Sequence, residues 1–119
     1  NGLPGIGALP HLSYAVLREG KGDPLLRLGT MLSENPARVM GLYPRKGSLQ
    51  PGADADVVII SEDDDPHPLR SSCAETYEPY PGFLTRLRMH SVLVHGVPVV
   101  HDGWLLDPDH PLGRCTWET

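Results

Sequence analysis

Apolar residues at helical spacing fill the first 42 positions of the chain and predict three short helices. The first helix opens at Pro10, whose missing N–H would have no partner in the first turn, and it stops at Gly20. Its apolar residues recur at one-sided spacing: Leu12, Ala15 and Val16. We therefore predict a helix that buries one face and exposes the other.

The second and third helices are predicted from the same chemistry at their starts. Asp23 can cap and Pro24 can open a helix with an apolar stripe of Leu25, Leu28 and Leu32. Asn35 and Pro36 repeat this pair for a shorter helix that ends at Gly41. The pattern thus predicts three separate helices.

Strand patterning replaces helical spacing after a Pro-Gly turn at residues 50–52. A strand is predicted at residues 55–60, where four consecutive β-branched residues indicate burial on both faces. The acidic and Pro-rich residues 62–68 are predicted to form a solvated loop. Residues 69–88 carry few periodic signals and are predicted to be irregular.

Two more strands are predicted at residues 89–95 and 97–101, around a tight turn at Gly96. Pro98 is typical of an edge strand, because proline cannot donate to a sheet ladder. Helices followed by strands indicate an α+β arrangement or the junction of two domains inside a larger protein.

Composition and charge narrow the classes of function. An apolar fraction of 39% allows the 119 residues to bury a core. A net charge of −5 without a Lys/Arg cluster argues against a nucleic-acid partner, and the longest apolar run, residues 57–60, is far short of a membrane span. Cys73 and Cys115 are too few and too far apart for a disulfide framework, so we expect reduced thiols and a cytoplasmic setting.

Residues 34–60 carry an ordered series of motif residues and read E-N-P-A-R-V-M-G-L-Y-P-R-K-G-S-L-Q-P-G-A-D-A-D-V-V-I-I. This segment resembles a hallmark of the amidohydrolase superfamily. There, the last barrel helix carries N-P-A-[RK]-x-[FM]-G-L and leads through K-G-x-[IL]-x-x-G-x-D-A-D into a strand of a small β-sandwich. Gly52 permits a positive φ in the turn, and we interpret Asp54 and Asp56 as turn and cap formers, not as metal ligands.

Two further stretches narrow the resemblance to the cyclic amidohydrolases. The opening N-G-L-P-G-I, followed by Leu9-Pro10, is similar to the loop after the last barrel strand in hydantoinases, allantoinases and dihydroorotases. E-T-Y-E-P-Y-P-G-F at residues 75–83, V-x-V-x-G-x-x-V from Val92 and G-R-C at residues 113–115 are similar to the hydantoinase and dihydropyrimidinase tail. The resemblance spans nearly the whole chain and places it after the catalytic barrel strands.

The resemblance implies an α/β fold, the C-terminal part of a (β/α)8 TIM barrel plus strands of the small β-sandwich. Residues 1–46 would end the barrel domain with a substrate loop and closing helices, and residues 47–119 would supply sandwich strands and a tail. The implied partners are the upstream barrel domain of the same protein, a small cyclic amide and further copies in a homo-oligomer. No nucleic acid and no membrane is expected as a partner.

The chemistry that the resemblance implies needs residues that this chain does not contain. In that family two divalent metal ions, commonly zinc, are held by an H-x-H pair, a carbamylated Lys, two further His and an Asp. They convert a bound water into a hydroxide that opens a cyclic amide to a carbamoyl acid. No H-x-H pair occurs in the sequence. We therefore assign no catalytic residue and no metal ligand to this segment, and expect the two metal ions to bind outside it.

The histidines and serines do not suggest a different site. His90 and His95 are an odd number of positions apart and are predicted to point to opposite faces of a strand. His95 and His101 lie on neighbouring predicted strands and could approach each other, without a third ligand to complete tetrahedral zinc. His11 is interpreted as an exposed or local packing residue. A Ser-His-Asp arrangement can be written with Ser13, Ser33 or Ser91, but no nucleophile elbow supports it.

The opening loop is the remaining candidate for substrate contact. By the resemblance, the Asn directly before this Gly uses its backbone to hydrogen-bond the ring amide, so Asn1 and Gly2 are the predicted substrate-binding residues. Gly5 would allow close backbone approach. A plain Gly/Pro connector is the alternative, and Gly7 stands where relatives often carry a polar residue.

Three functions remain open at this point. The leading one is a segment of a metal-dependent hydrolase that opens hydantoin- or dihydropyrimidine-type rings. The second is a non-catalytic dihydropyrimidinase-like scaffold that keeps the fold for assembly. The third is a free-standing α+β interaction domain.

Overall fold

A computed structural model describes residues 5–69 and 79–107 of the chain. The predictions for Asn1, Gly2, Cys73, Cys115 and the G-R-C segment lie outside these residues. The elements follow in order as helix α1 (Leu9–Arg18), helix α2 (Pro24–Gly29), a π-helical turn (Thr30–Glu34), helix α3 (Asn35–Val39), and strands β1 (Val57–Pro68), β2 (Leu84–Val94), β3 (Val97–His101) and β4 (Trp104–Leu105).

Helix α1 forms where the sequence predicted it, with Pro10 in its first turn. The buried residues are Tyr14 and Leu17, whereas Val16 of the predicted apolar face is 72% exposed. The predicted face is therefore partly wrong, because α1 turns its Tyr14 side toward strand β2 and leaves Val16 on the outside.

Helix α2 also begins as predicted. The Asp23 side chain accepts hydrogen bonds from the N–H groups of Leu25 (2.8 Å) and Leu26 (3.2 Å), which makes Asp23 a true N-cap. Leu28 is buried, and Leu25 and Leu32 pack against the same core. The predicted apolar stripe of this helix is confirmed.

The prediction of a separate third helix capped by Asn35 is wrong. Asn35 has helical backbone angles (φ −61°, ψ −47°), and its N–H donates to the Thr30 carbonyl, five residues back. Pro36 has no N–H, and in a regular α-helix its ring would crowd the carbonyl four residues earlier. A π-helical turn before the proline lengthens the hydrogen-bond register, so α2 continues into α3 without a break.

Gly41 ends helix α3 as predicted, in a left-handed conformation at φ +70°. The Leu42 N–H donates to the Ala37 carbonyl (2.8 Å), and the Gly41 N–H donates to the Arg38 carbonyl (3.1 Å). These two bonds form a Schellman motif, which satisfies carbonyls that the helix end leaves free. The chain then turns back so that Gly47 lies against Ala37 and the Ser33 carbonyl, where no side chain would fit.

The four strands form one antiparallel sheet in the order β1-β2-β3-β4. Two sequence predictions are corrected here: residues 62–68 belong to strand β1 instead of a loop, and residues 84–88 begin strand β2 instead of an irregular stretch. Pairing shifts between Glu62 and His67, so the acidic residues between them form a bulge in β1. Because β1 is an edge strand of this sheet, Pro66 and Pro68 are tolerated in it.

The hairpin of β2 and β3 is confirmed, and both turn residues have positive φ: His95 at 51° and Gly96 at 80°. Strand β3 is not an edge strand, because β4 pairs with it at Val100 and His101. Pro98 lies beyond the end of β4 and pairs with Leu93 on the β2 side. Pro98 therefore lies at an edge position, unpaired on the β4 side, as predicted, but strand β3 as a whole is not an edge strand.

The core joins helices to sheet. Tyr14 and Leu17 of α1 and Leu28 of α2 pack together with Leu87 of β2, which is fully buried. The predicted burial of both faces at residues 57–60 is wrong in this structure, because Val58 and Ile59 are about half exposed (51% and 49%). Among the described residues, no helix is long and apolar enough to cross a membrane.

Candidate functional site

The D-A-D motif forms an ionic cluster around Lys46. The Lys46 ammonium contacts the carboxylates of both Asp54 (2.9 Å) and Asp56. The second Asp56 oxygen accepts the backbone N–H of His95 at 2.8 Å, and the Gly96 N–H donates to the Ala55 carbonyl at 2.8 Å. The cluster therefore fastens the segment after α3 to the tip of the β2–β3 hairpin.

Charge pairing in this cluster shifts the ionisation of both partners. The hydrogen bonds to Asp56 and Asp54 raise the pKa of Lys46. The hydrogen bond from Lys46, with a further contribution from the His95 N–H, lowers the pKa of Asp56. Asp56 caps the hairpin tip by accepting the His95 N–H, which agrees with its predicted role as a cap former. The Asp54 carboxylate pairs with Lys46, a role that the sequence did not predict. Lys46 was missed, although its place in K-G-x-[IL] just before a D-A-D offered a charge-complementarity signal.

A second ionic cluster lies on the outer part of strands β1 and β2. The Arg88 guanidinium binds the Asp63 carboxylate through Nε (2.8 Å) and Nη2 (2.6 Å), and this pairing lowers the pKa of Asp63. His67 Nδ1 lies 3.3 Å from the same carboxylate. Ser61 Oγ and His90 Nε2 are 2.7 Å apart across the two strands. The cluster ties the bulged half of β1 to β2.

Polar contacts also connect helix α1 to the sheet. His11 Nδ1 lies 3.1 Å from Thr85 Oγ1, and Arg18 Nε lies 2.8 Å from the Glu62 carboxylate. Between them the Tyr14 ring is buried, and burial followed by the neighbouring Glu62 carboxylate raises the pKa of Tyr14 to about 12. His11 is thus a half-buried contact to the sheet, not an exposed side chain. Thr85 carried no sequence signal because its partner lies 74 residues away.

The remaining titratable side chains do not assemble a reactive centre in residues 5–69 and 79–107. No three His, Cys, Asp or Glu side chains there could hold a metal ion. His101 pairs with Ser91 at the far end of β3, whereas His95 occupies the turn. The two histidines that the sequence placed on neighbouring strands are therefore not brought together.

One serine of the Ser-His-Asp alternative does meet a histidine and an aspartate. Ser91 Oγ is 3.1 Å from His101 Nδ1, and His101 Nε2 is 3.6 Å from Asp102. The His101 and Asp102 side chains are 65% and 69% exposed. Such solvated groups lack the water-excluded, pre-organised setting that activates a serine, so this trio is a surface contact.

The predicted substrate-binding residues Asn1 and Gly2 lie outside the described part of the chain. The first described residue is Gly5, whose carbonyl accepts the N–H groups of Ala8 (3.0 Å) and Leu9 (3.1 Å). The end of the opening loop is therefore a hydrogen-bonded turn that runs directly into helix α1.

The geometry defines a protein segment in which short helices pack on an antiparallel sheet, ion pairs join its elements, and the described residues form no reactive cluster. Comparison with known proteins identifies the family. Residues 7–99 match the model of the amidohydrolase family. The chain belongs to this family.

Curated relatives show the same membership. The chain is 38% identical over 106 residues to a D-hydantoinase of Streptomyces coelicolor, an alignment that covers 84% of this chain and 22% of the relative. It is 33% identical over 106 residues to the D-phenylhydantoinases of Escherichia coli O81 and O7:K1, covering 87% of this chain and 23% of each relative. The chain thus spans less than a quarter of the length of these relatives.

Proposed function

We propose that this chain is the C-terminal portion of a hydrolase that opens cyclic amides of the hydantoin and dihydropyrimidine type. The observation that carries the proposal is the match to D-hydantoinase and D-phenylhydantoinases along more than four fifths of the chain. The contacts of the described residues support a structural role for them, not a catalytic one. The ionic side chains of the family motif, Lys46, Asp54 and Asp56, make contacts within the fold.

The division of labour that we propose assigns hydrolysis to residues outside this segment. The described residues do not fit a divalent metal pair, since they contain no cluster of three ligating side chains. The described residues would therefore not hold the metal ions themselves. The two divalent ions of the complete enzyme, zinc by the resemblance, would bind residues of the upstream barrel domain.

For this segment we propose three contributions. The opening loop with Asn1 and Gly2 would contact the ring amide of the substrate through its backbone. Helices α1 to α3 would close the barrel, and strands β1 to β4 would form part of the small β-domain. Assembly of the complete protein into a homo-oligomer in the cytoplasm belongs to the same proposal.

Activity of the complete protein tests the proposal. Full-length protein that ends in this segment is incubated separately with hydantoin, dihydrouracil and allantoin, and the carbamoyl acid formed is quantified. Metal content per subunit is measured on the same preparation. We expect turnover of at least one ring and about two metal equivalents per subunit. A folded protein with neither turnover nor bound metal would contradict the proposal and favour the scaffold function instead.

A further inference from the structure

Thr85 of strand β2 holds a buried hydroxyl beside helix α1. The residue is 3% exposed, and its Oγ1 accepts the Leu87 backbone N–H at 3.1 Å. The Nδ1 atom of His11, in the first turn of α1, lies 3.1 Å from the same oxygen. We assign the Thr85 hydroxyl as the donor to His11, because this arrangement gives the buried hydroxyl proton an acceptor. The contact as it stands therefore requires a neutral His11 ring with its proton on Nε2.

Protonation of His11 would reverse this hydrogen bond. Nδ1 would become a donor, and the hydroxyl proton of Thr85 would lose its acceptor at a position that water hardly reaches. A buried polar group without a partner is unfavourable. A charged His11 is thus incompatible with the present arrangement of the contact.

The start of helix α1 is also an unfavourable place for a positive charge. His11 is the third residue of a helix that begins at Leu9, and the first turn contains no acidic side chain. The free N–H groups at a helix N-terminus carry partial positive charge, which disfavours a cation there. Burial, followed by the charge of the nearby His67, lowers the pKa of His11. The position in the helix, burial and a second histidine therefore all oppose protonation in the folded state.

His67 of strand β1 is the neighbour whose charge acts on His11 among the described residues. Its own Nδ1 lies 3.3 Å from the Asp63 carboxylate. A proton on His67 therefore gains an ionic partner, whereas a proton on His11 faces the uncharged Thr85 hydroxyl. Acidification thus places a positive charge beside His11 from the β1 side.

The other end of α1 is held by contacts without histidine. Tyr14 and Leu17 pack in the core with Leu87, and Arg18 Nε lies 2.8 Å from the Glu62 carboxylate. Loss of the His11 contact would therefore free the first turn of α1 without releasing the rest of the helix.

We propose that the contact of His11 with Thr85 and His67 is an acid-sensitive switch that releases the first turn of helix α1 from the sheet. The proton is the ligand of the released state, in which the His11 ring is solvated and its charge is tolerated. Because the folded state lowers the pKa of His11, the contact is fully present above the ordinary histidine pKa of about 6.5 and weakens as pH falls below it. The switch is independent of the proposed hydrolysis.

Amide hydrogen exchange of the full-length protein tests the switch at about pH 7.5 and about pH 5.5, on either side of the ordinary histidine pKa. Exchange is measured by mass spectrometry for peptides within Leu9–Arg18. Each rate is divided by that of unstructured chain at the same pH, so that the ratio reports opening. His11→Gln removes the titration and keeps a polar side chain, and His67→Gln removes the neighbouring charge. His101→Gln is the matched control, because His101 lies on β3 and its side chain is 65% exposed.

We expect opening of the first turn of α1 to increase at the lower pH in the wild type, by up to about tenfold per pH unit because one proton is taken up. Strand β3 should keep its protection at both pH values. His11→Gln should abolish the increase, His67→Gln should reduce it, and His101→Gln should leave it as in the wild type. The wild type and His67→Gln carry the test by themselves if His11→Gln folds poorly.

Three results would overturn the inference. The first is equal protection of α1 at the two pH values in the wild type. The second is an increase in opening that persists in full in His11→Gln, or that His101→Gln also removes. The third is a parallel loss of protection in β3, which would indicate global unfolding instead of the release of one helical turn.

Discussion

At the residue scale, the Asp56 carboxylate joins the segment before β1 to two other parts of the chain, the segment after α3 and the tip of the β2–β3 hairpin. It binds the Lys46 ammonium after α3 and the His95 N–H at the hairpin tip, while the adjoining residue Ala55 accepts from Gly96. Sequence reasoning assigned Asp56 a structural role as a turn and cap former, and the hydrogen bond that it accepts from His95 in the hairpin turn agrees with the cap. It did not identify Lys46 or His95 as partners, because neither contact is periodic and one spans 39 residues.

The lowered pKa of Asp56 predicts a pH-dependent contribution to stability. The folded pKa lies below the unfolded value of about 3.9, so the contribution is full above that value and is lost as pH falls through the folded pKa. Asp56→Asn should cost about 1 kcal/mol at pH 7, a modest figure because the side chain is 35% exposed. The cost should shrink at about pH 3, measured by urea unfolding of the full-length protein.

Asp64→Asn is the matched control for this measurement, since Asp64 is an exposed carboxylate of β1. It should change stability little in either condition. An Asp56→Asn cost that is the same at neutral and acidic pH would contradict the assigned role of the carboxylate.

Tyr14 makes the second prediction at this scale. Its hydroxyl is buried and has no hydrogen bond of acceptable geometry within the described residues, although the Glu62 carboxylate is nearby. Tyr14→Phe should therefore change stability by less than about 1 kcal/mol, whereas Tyr14→Ala should cost about 3–5 kcal/mol through the lost core ring. Chemical denaturation of the full-length variants compares the two.

The raised pKa of Tyr14 adds a test at high pH. Because the pKa of Tyr14 is about 12 in the folded protein and 10.0 is the ordinary value for tyrosine, the wild type should lose stability as pH rises from 10 toward 12. Tyr14→Phe should lose less over the same range. Equal losses in the two proteins would show that the ionisation of Tyr14 is not involved.

At the scale of elements, two similar sequences at predicted helix starts adopt different structures, because their tertiary surroundings differ. Asp23-Pro24 and Asn35-Pro36 look alike in sequence, yet only Asp23 adopts an extended backbone (φ −72°, ψ 116°) and caps a helix. The residue before a proline is usually extended. At Asn35 the π-helical turn and the contact of Leu28 and Leu32 with the core keep the backbone helical instead.

This difference predicts unequal costs for two similar substitutions. Asp23→Ala should destabilise the protein by about 1 kcal/mol, because it leaves two N–H groups without their acceptor. Asn35→Ala should cost less than about 0.5 kcal/mol, since alanine is the better helix former and no cap is lost. Thermal unfolding of both full-length variants measures the two losses of stability. An equal loss for Asn35→Ala would show that Asn35 does act as a helix cap.

The acidic part of strand β1 shows that composition alone does not predict whether a segment forms a loop or a strand. Residues 62–68 contain charges and prolines that are typical of loops. They form a strand because β2 offers paired backbone groups at Leu87, Thr85 and Leu84, and because Arg88 neutralises Asp63. The partner strand, which comes later in the chain, decides this structure.

At the scale of the whole molecule, more large apolar side chains are exposed than are buried among the described residues. The fully buried apolar side chains of the described residues are few, while Ile6, Val16, Leu26, Val39 and Leu49 are each more than 70% exposed. Single exposed apolar residues are ordinary, but several occur here on short helices, and Val58 and Ile59 add to them on an edge strand. We propose that these surfaces contact further protein.

We therefore expect residues 1–119 expressed alone to associate instead of forming a stable monomer. Size-exclusion chromatography and urea unfolding would measure this, with the full-length protein as the comparison. A monomeric segment that unfolds cooperatively would favour the free-standing interaction domain over a portion of a larger hydrolase.

The sequence by itself determined what short-range chemistry controls. Helix starts at Pro10 and Asp23, the helix end at Gly41, the hairpin turn at Gly96 and the family motif at residues 34–60 all follow from residues a few positions apart. Only the tertiary structure decided which face of α1 is buried, that Asn35 stays inside a helix, that an acidic stretch becomes a strand, and that His11 meets Thr85. These outcomes depend on contacts between residues far apart in the chain, where burial and pairing outweigh local preference.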